Sequence, residues 1–405
     1  MTISLIANIA LGIALAVVSL PITVFFAETT LGCIFRNRKR VRRSSVPCTV
    51  TVLIPAHNEE AGISRTLQSI QDDAGAAARI LVVADNCSDR TAEQCRRAGV
   101  DVAERSDRER RGKGYALEFG LKQLADDPPD VVIIVDADCV VEAGAIANLS
   151  DAAFHMDCPV QGKYIMHPPA GADAKQLISS FAFVVKNWTR PLGLRVLGLP
   201  CLLTGSGMAF PWKAISSVSI GSGNIVEDMQ MAVDLAIAGH APVFSDAATI
   251  VGFLPGQAAA AAEQRKRWEH GHLSTSRTEI VRLMLAFLRR PRVGLLAMAC
   301  DLAVPPLALL VAAGTALSVA TLGAFFAGLA STPILIANFV LFLMLCIAVG
   351  LSWIRFGRDI LTPTALLAVP QYVLAKLPIY GTYVSKPQKD WVRTSRDQEV
   401  DANVS

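Results

Sequence analysis

From Ile3 to Phe26 the chain is apolar almost without a break, and at about 1.5 Å per residue a helix of that length crosses the roughly 30 Å hydrocarbon core of a bilayer. A second apolar region runs from Val293 to Trp353, broken only at Ser331, Thr332 and Pro333, which predicts a hairpin of two spans. Asp301, Pro305 and Pro306 near its start are awkward in lipid and predict an interfacial approach before the first of these spans begins. A last apolar stretch, Ile360 to Val384, is interrupted by Pro363, Pro370, Lys376 and Pro378. That pattern fits a helix lying in the interface better than a fourth span.

Between Val46 and Ala258 the pattern changes to short β-branched runs alternating with polar helical stretches, the signature of an α/β domain with a largely parallel sheet. Thr49 to Ile54, Ile80 to Ala84 and Val131 to Val135 have the length and the continuous apolarity of buried parallel strands. Each run ends in a polar cluster: Pro55-Ala56-His57-Asn58-Glu59-Glu60, Asp85-Asn86-Cys87-Ser88-Asp89, and Asp136-Ala137-Asp138. Ligands of open α/β sheets bind beyond the carboxyl ends of the strands, so the three clusters are expected to share one crevice.

Composition and charge sharpen this picture. The 405 residues are 52% hydrophobic and 18% charged, with a mean hydropathy of +0.41, too apolar for an ordinary soluble enzyme. Net charge is only +3, yet Arg36, Arg38, Lys39, Arg40, Arg42 and Arg43 stand almost in a row after the first apolar stretch. By the positive-inside rule this places the amino terminus outside and the central domain in the cytosol, with Arg355 and Arg358 returning the chain to the cytosol after the hairpin. A signal peptide would carry its basic residues in front of the apolar run. Nucleic-acid binding is disfavoured, because the basic run abuts an apolar segment instead of an aromatic-studded domain. Nine cysteines stand singly, without a CxxC pair or a metal-ligand spacing. They read as small apolar fillers of a reduced compartment.

The polar clusters suit the handling of a nucleoside diphosphate. Asp136 and Asp138, two apart at a strand end, can both reach a hard divalent cation whose other ligands are phosphate oxygens and water, Mg2+ or Mn2+. A lone DxD is common in surface turns, and its place after an apolar strand is what gives it weight. Lys113 sits between Gly112 and Gly114, which let backbone and ammonium approach a ligand closely. Thr204-Gly205-Ser206-Gly207 is a small-residue loop past which a sugar or acceptor can run. Glu227-Asp228 opens a helical stretch; such a pair often only complements the helix dipole, and at a crevice one of the two serves as general base. Gln264, Arg267 and Trp268 share one helix face, offering an amide, a fixed cation and an aromatic plane, while the same helix also reads as an amphipathic interface helix.

Taken in order, PAHNE after a strand, ADNCSD, RGKG, DAD, TGSG, VED and QRKRW resemble the inverting glycosyltransferases that include cellulose synthase, hyaluronan synthase, poly-N-acetylglucosamine synthase and ceramide glucosyltransferase. The resemblance covers roughly residues 48 to 272, and QxxRW following ED is its most specific part. It implies a GT-A fold, in which Pro55, Ala56, Asn58 and Glu59 meet the nucleotide and its ribose, and Asp85 meets the base. Lys113 would face the nucleotide or its phosphates, Asp136 and Asp138 would hold uridine diphosphate and the ion, and Asp228 would be the catalytic base. Gln264, Arg267 and Trp268 would line the acceptor and diphosphate side. Two departures pull in opposite directions. The membrane part is small for a synthase that extrudes its product, and with Trp391-Val392-Arg393-Thr394 looks more like bacterial exopolysaccharide enzymes that add one sugar to a polyprenyl-diphosphate-linked acceptor. QxxRW, in turn, is often associated with processive synthases.

The expectation is therefore an inner-membrane, multi-pass transferase. Residues 1–28 form a spanning helix, 29–47 a basic linker, 48–258 a GT-A domain, 259–292 the QxxRW motif and interface helices, 293–354 a hairpin, and 355–405 an interfacial helix and tail. Its partners would be a nucleotide-sugar donor, a lipid-linked or glycan acceptor, membrane lipids and envelope-polysaccharide assembly proteins. A non-catalytic scaffold would have lost carboxylates that this chain keeps. A transporter would need charge pairs within the spans, and an oxidoreductase a GxGxxG after the first strand.

Overall fold

The structure is a computed structural model and describes residues 2–35 and 48–385. The basic run Arg36 to Arg43 and the tail with Lys386, Lys389, Trp391, Arg393 and Arg396 lie outside the described residues. The described residues divide into two compact units, one formed by residues 48–172 and 198–271, the other by residues 2–35, 173–197 and 272–385.

The first unit is built on one eight-stranded sheet: β1 (Val50–Ala56), β2 (Ala78–Asp85), β3 (Asp101–Arg105), β4 (Val131–Ile134), β5 (Val140–Val141), β6 (Val160–His167), β7 (Met208–Pro211) and β8 (Val243–Phe253). Their order is β3-β2-β1-β4-β7-β6-β8-β5. The three apolar runs seen in the sequence are β1, β2 and β4, and they pair in parallel, Val50 opposite Ala78 and Val131. β3 extends that parallel half, whereas β7 runs antiparallel to both β4 and β6. Strands β6 and β8 are parallel again, with a register shift between Gly162 and Lys163.

Helices cover the sheet through stripes at helical spacing. Ile63, Leu67 and Ile70 of the Ile63–Ala74 helix are all buried. On the Lys113–Leu124 helix, Gly120 lets the backbone come so near that a Cβ there would lie 2.5 Å from Leu53 Cδ1 and 2.9 Å from Val83 Cγ2. Removing apolar surface from water in this way is the main drive of folding, and these all-apolar strands supply it from both faces. The polar ends of β1, β2 and β4 are consequently held at one edge of a rigid platform.

Among the described residues, the second unit contains three helices long and apolar enough to cross a membrane: Thr2–Ile34, Leu307–Phe326 and the helix running from Thr332 to Gly357. The ten-residue Val293–Leu302 helix precedes the Leu307–Phe326 helix, and the chain breaks at Pro305 and Pro306 before Leu307. The last apolar stretch forms a seventeen-residue helix, Val369–Ser385, with Pro378 inside it.

Asp173–Leu197 is where the structure departs from the domain bounds read along the chain. The sequence places the segment inside a continuous catalytic block, yet it groups with the helices long and apolar enough to cross a membrane. A capping box of Asp173 and Gln176 starts it, and a π-helical turn, Val185–Thr189, interrupts it. Glycines explain its attachment: a Cβ at Gly193 would collide with the carbonyl of Glu28, and one at Gly32 with the carbonyl of Thr189. Next to this backbone contact, buried Arg190 donates from Nε to Glu28 Oε2 at 2.6 Å, from Nη2 to the Asp301 carbonyl at 3.0 Å, and to the Asp301 carboxylate. A charge group of this kind was not expected from the sequence, which showed no acid-base pair within the spans. Asp301 is tolerated because it is paired inside protein.

Candidate active site

The ends of β1 and β2 are knitted into one floor. His57 Nδ1 lies 2.7 Å from the carbonyl of Asp85. Asn58, in the left-handed region at φ 56°, accepts on its side-chain oxygen from the amide of Ser88 at 2.7 Å. The amide of buried Glu59 donates to Thr91 Oγ1 at 2.7 Å. Pro55 is half-buried and Ala56 buried at the tip of β1. The Asp85 carboxylate accepts from Arg105 Nη1 at 2.6 Å and from Asn86 Nδ2 at 3.0 Å. Arg105 also bonds Asp107 and the carbonyl of Arg110, and its guanidinium stands 5.8 Å from the Tyr115 ring centre. Arg105 was not singled out in the sequence; closing β3, it carries no motif around it.

A second group of residues converges on the Thr204–Gly207 loop. Buried Gln161 of β6 holds that loop from below: its side-chain nitrogen donates to the carbonyl of Ser206 at 2.9 Å, and its oxygen accepts from the amide of Thr204 at 2.9 Å. Ser206 Oγ in turn accepts from the amide of Asp136 at 3.0 Å. Gly205 has φ +98°, a conformation that L side chains rarely adopt. A Cβ built on it would lie 3.4 Å from Asp228 Oδ2, 3.7 Å from Lys113 Nζ and 3.9 Å from Asp136 Oδ2. Three charged groups from three distant parts of the sequence therefore surround one glycine.

Lys113 begins its helix after Gly112, whose φ is +124°. Its ammonium meets Asp136 Oδ1 at 2.5 Å, the Gly205 carbonyl at 2.6 Å and Glu227 Oε1 at 3.6 Å. Burial works to lower this ammonium, but the carboxylates of Asp136, Glu227 and Asp228 outweigh it and hold it above the usual lysine range. Burial raises the carboxyl of Asp136 against the pull of Lys113. Burial likewise pushes Glu227 up to about 7, again with Lys113 opposing. Asp228 is anchored by the amide of Met229, which donates to Oδ1 at 2.8 Å.

Asp136, Asp138 and Cys139 place one potential ligand atom each within 4.8 Å of one another. Burial, and then Asp138 and Asp136, push the Cys139 thiol far up, so the oxygens are the available donors. Three carboxylates, those of Asp136, Glu227 and Asp228, act on the Lys113 ammonium, and Asp138 stands beside Asp136. An oxygen-rich site with surplus negative charge suits Mg2+ or Mn2+, and the DxD-like cluster expected from the sequence is present.

Gln264, Arg267 and Trp268 are half-buried on the first turns of the Ala258–Arg289 helix. At about 100° per residue Gly271 lies on their face. A Cβ at Gly271 would come within 3.0 Å of Val226 Cγ1. The face carrying the three motif residues thus runs up against the segment leading into Glu227 and Asp228.

The solved mannosyltransferase PcManGT from Pyrobaculum calidifontis, in complex with GDP-mannose and Mn2+, matches at 20% identity and a TM-score of 0.53, covering 86% of this chain and 97% of its own. The glucosyl-3-phosphoglycerate synthase from Mycobacterium tuberculosis, solved with Mn2+, UDP and glucosyl-3-phosphoglycerate, matches at 22% identity and a TM-score of 0.34, covering 50% of this chain and 71% of its own. The first likeness shows the fold, which is of GT-A type; the second is too low to add to it. No curated protein matches the chain. The family model described as "Glycosyltransferase like family 2" matches residues 47–271, the whole span from the first strand to the glycine that ends the motif face, and the chain belongs to that family of glycosyltransferases.

Proposed function

We propose that this enzyme transfers one sugar, with inversion, from a nucleoside-diphosphate sugar to a membrane-associated acceptor. The observation that carries the reading is the convergence of Lys113, Asp136 and Asp228 on Gly205. It brings a cation, a metal-type carboxylate and a base-type carboxylate to one place, around a residue that has no side chain of its own.

In this reading Asp228 takes the proton of the acceptor hydroxyl as that oxygen attacks the anomeric carbon from the side opposite the diphosphate. The bond from Met229 fixes its carboxylate, so the second oxygen is aimed by the backbone and not by a flexible stem. Asp136 and Asp138 would hold Mg2+ or Mn2+, which when bound neutralises charge on the departing diphosphate. Lys113 positions and balances the carboxylates and supplies a fixed positive charge beside the phosphates. Asp85, oriented by Arg105, would meet the base, and Pro55, Ala56, Asn58 and Glu59 would border the ribose. Gln264, Arg267 and Trp268 would line the acceptor side.

The resemblance favours a UDP-sugar. The acceptor we propose is a polyprenyl-diphosphate-linked glycan of an exopolysaccharide or envelope pathway, met at the cytosolic face of the inner membrane, with the amino terminus outside. The three candidate spans among the described residues support single addition, since a polymer needs a conduit. QxxRW supports the second reading, a processive synthase whose conduit is completed by a further copy or an assembly partner.

The test is Asp228→Asn. Transfer is expected to fall by at least about a thousandfold while nucleotide-sugar binding stays within a few fold of the parent, because the acceptor proton is the group served. Retained turnover removes the base assignment. Loss of donor binding moves Asp228 to the donor side.

A further inference from the structure

The second unit carries an exposed apolar stripe, outside its three candidate spans, that the transfer chemistry does not explain. On the Ala258–Arg289 helix, Val281, Leu285 and Leu288 are 55%, 51% and 74% exposed. Spaced by four and three, they fall within an arc of roughly 60°. The opposite side of the same turns is packed inward: Leu283 is fully buried, and Thr275 and Glu279 are buried with it. Arginines frame the stripe. Exposed Arg277 lies along one border and exposed Arg282 and Arg289 along the other, and the one acid of these turns, Glu279, is turned inward, where it accepts from Arg282 Nη1 at 2.6 Å. The exposed arc is therefore apolar in the middle and bordered by arginines on both edges, with exposed Thr278 beside Arg282 and Arg289.

We infer that this stripe lies in the headgroup region of the bilayer and binds anionic phospholipid there. Apolar side chains that protrude singly are ordinary, but three in a row between arginines are the pattern of an in-plane membrane helix, whose long cationic side chains reach up to phosphates while the stripe enters the acyl boundary. The chain continues directly into it: Val293 and Leu296 of the following Val293–Leu302 helix are also exposed, and Leu307–Phe326, long and apolar enough to cross the membrane, comes next in the same unit. A second copy of the chain is a poor occupant, because two such faces meeting would set arginine against arginine without an acid to separate them. The inference rests on the membrane reading alone; donor and acceptor chemistry, assayed in detergent, stands or falls separately.

The experiment uses the full chain in nanodiscs holding equal amounts of phosphatidylglycerol and phosphatidylcholine, with the lipids retained on the released protein counted by native mass spectrometry. Arg277→Gln and Arg289→Gln are combined, one from each border, leaving the Arg282–Glu279 pair intact. Wild type is expected to retain phosphatidylglycerol over phosphatidylcholine, and the double arginine variant to lose that preference on the order of tenfold, since each basic residue at an anionic surface contributes separately. A second variant, Leu285→Glu with Leu288→Glu, is expected to lower retention of both lipids while the spans keep the protein in the disc. Unaltered retention in both variants overturns the inference. So does a change from dimer to monomer in the glutamate variant with lipid preference untouched, which would mean that the stripe pairs two chains.

Discussion

Replacing Lys113 by Met tests the electrostatic logic of the site. The ammonium bonds Asp136 at 2.5 Å and faces Glu227 at 3.6 Å, with side-chain exposures of 19% for Lys113, 24% for Asp136 and 10% for Glu227. Breaking a fully buried pair costs about 3–5 kcal/mol; the partial exposure here reduces that to about 2 kcal/mol. The apparent Tm of the metal-free protein is then expected to drop by on the order of 5 °C at neutral pH. The deficit also depends on pH. Glu227 has a folded value of about 7 against an ordinary 4.5, so between these values the folded state binds more protons than the unfolded one. Its contribution to stability is full below about 4.5 and is lost as pH rises through 7. Without Lys113 the folded value rises further and the loss extends to more alkaline pH, so the variant falls behind wild type most at pH 8.5 and least at pH 5. Mn2+ should stabilise the variant more than wild type, because the carboxylates have lost their internal counter-ion. Thermal unfolding across that pH range, with and without Mn2+, reads all three effects. A Tm deficit independent of both pH and ion refutes the assignment of Lys113 as the counter-ion.

Three further substitutions probe other parts of the account. Asp138→Ala is expected to abolish transfer and to weaken Mn2+-dependent binding of the nucleoside diphosphate at least about tenfold, measured by calorimetry; undiminished metal-dependent binding contradicts the ion site. Gly205→Ala forces a side chain into φ +98°, at a cost of about 1–3 kcal/mol, and sets a methyl among Asp228, Lys113 and Asp136; both Tm and kcat should fall, and parental values for the two would show the loop to be indifferent. Arg190→Met strands the carboxylates of Glu28 and Asp301 in the interior, at about 3–5 kcal/mol. Adding Glu28→Gln and Asp301→Asn should recover part of that stability in detergent melts, and failure to recover any would mean that the three groups do not act as a unit.

What the sequence disclosed follows from range. Asp136, Asp138, Glu227 and Asp228 were legible because each sits at the end of a strand or the start of a helix whose apolar pattern is local. β1, β2 and β4 were legible for the same reason, being continuously apolar and buried on both faces. Arg105 was missed because its role depends on Asp85, a neighbour only through the pairing of β2 with β3. Gln161 was missed because a lone glutamine in a strand looks like a polar edge residue until the Thr204–Gly207 loop folds over it. The Asp173–Leu197 segment illustrates a different limit. Its helices are apolar in the manner of core helices anywhere, and chain order placed them between catalytic motifs. Only the fit of Gly193 against Glu28, and of Arg190 between two acids, assigns them to the membrane unit. Conversely, the break at Pro305 and Pro306 was readable, since proline punctuates helices whatever surrounds them.

The central claim is tested most directly by transfer itself: full-length protein in lipid, a panel of UDP- and GDP-sugars, Mg2+ or Mn2+, extracted polyprenyl-linked acceptors, and sizing of the product, with Asp228→Asn as the control. The account predicts divalent-dependent release of nucleoside diphosphate from one donor and an acceptor heavier by a single sugar, both absent in the variant. Release by the variant at the parental rate, or none with any donor and acceptor, would contradict it.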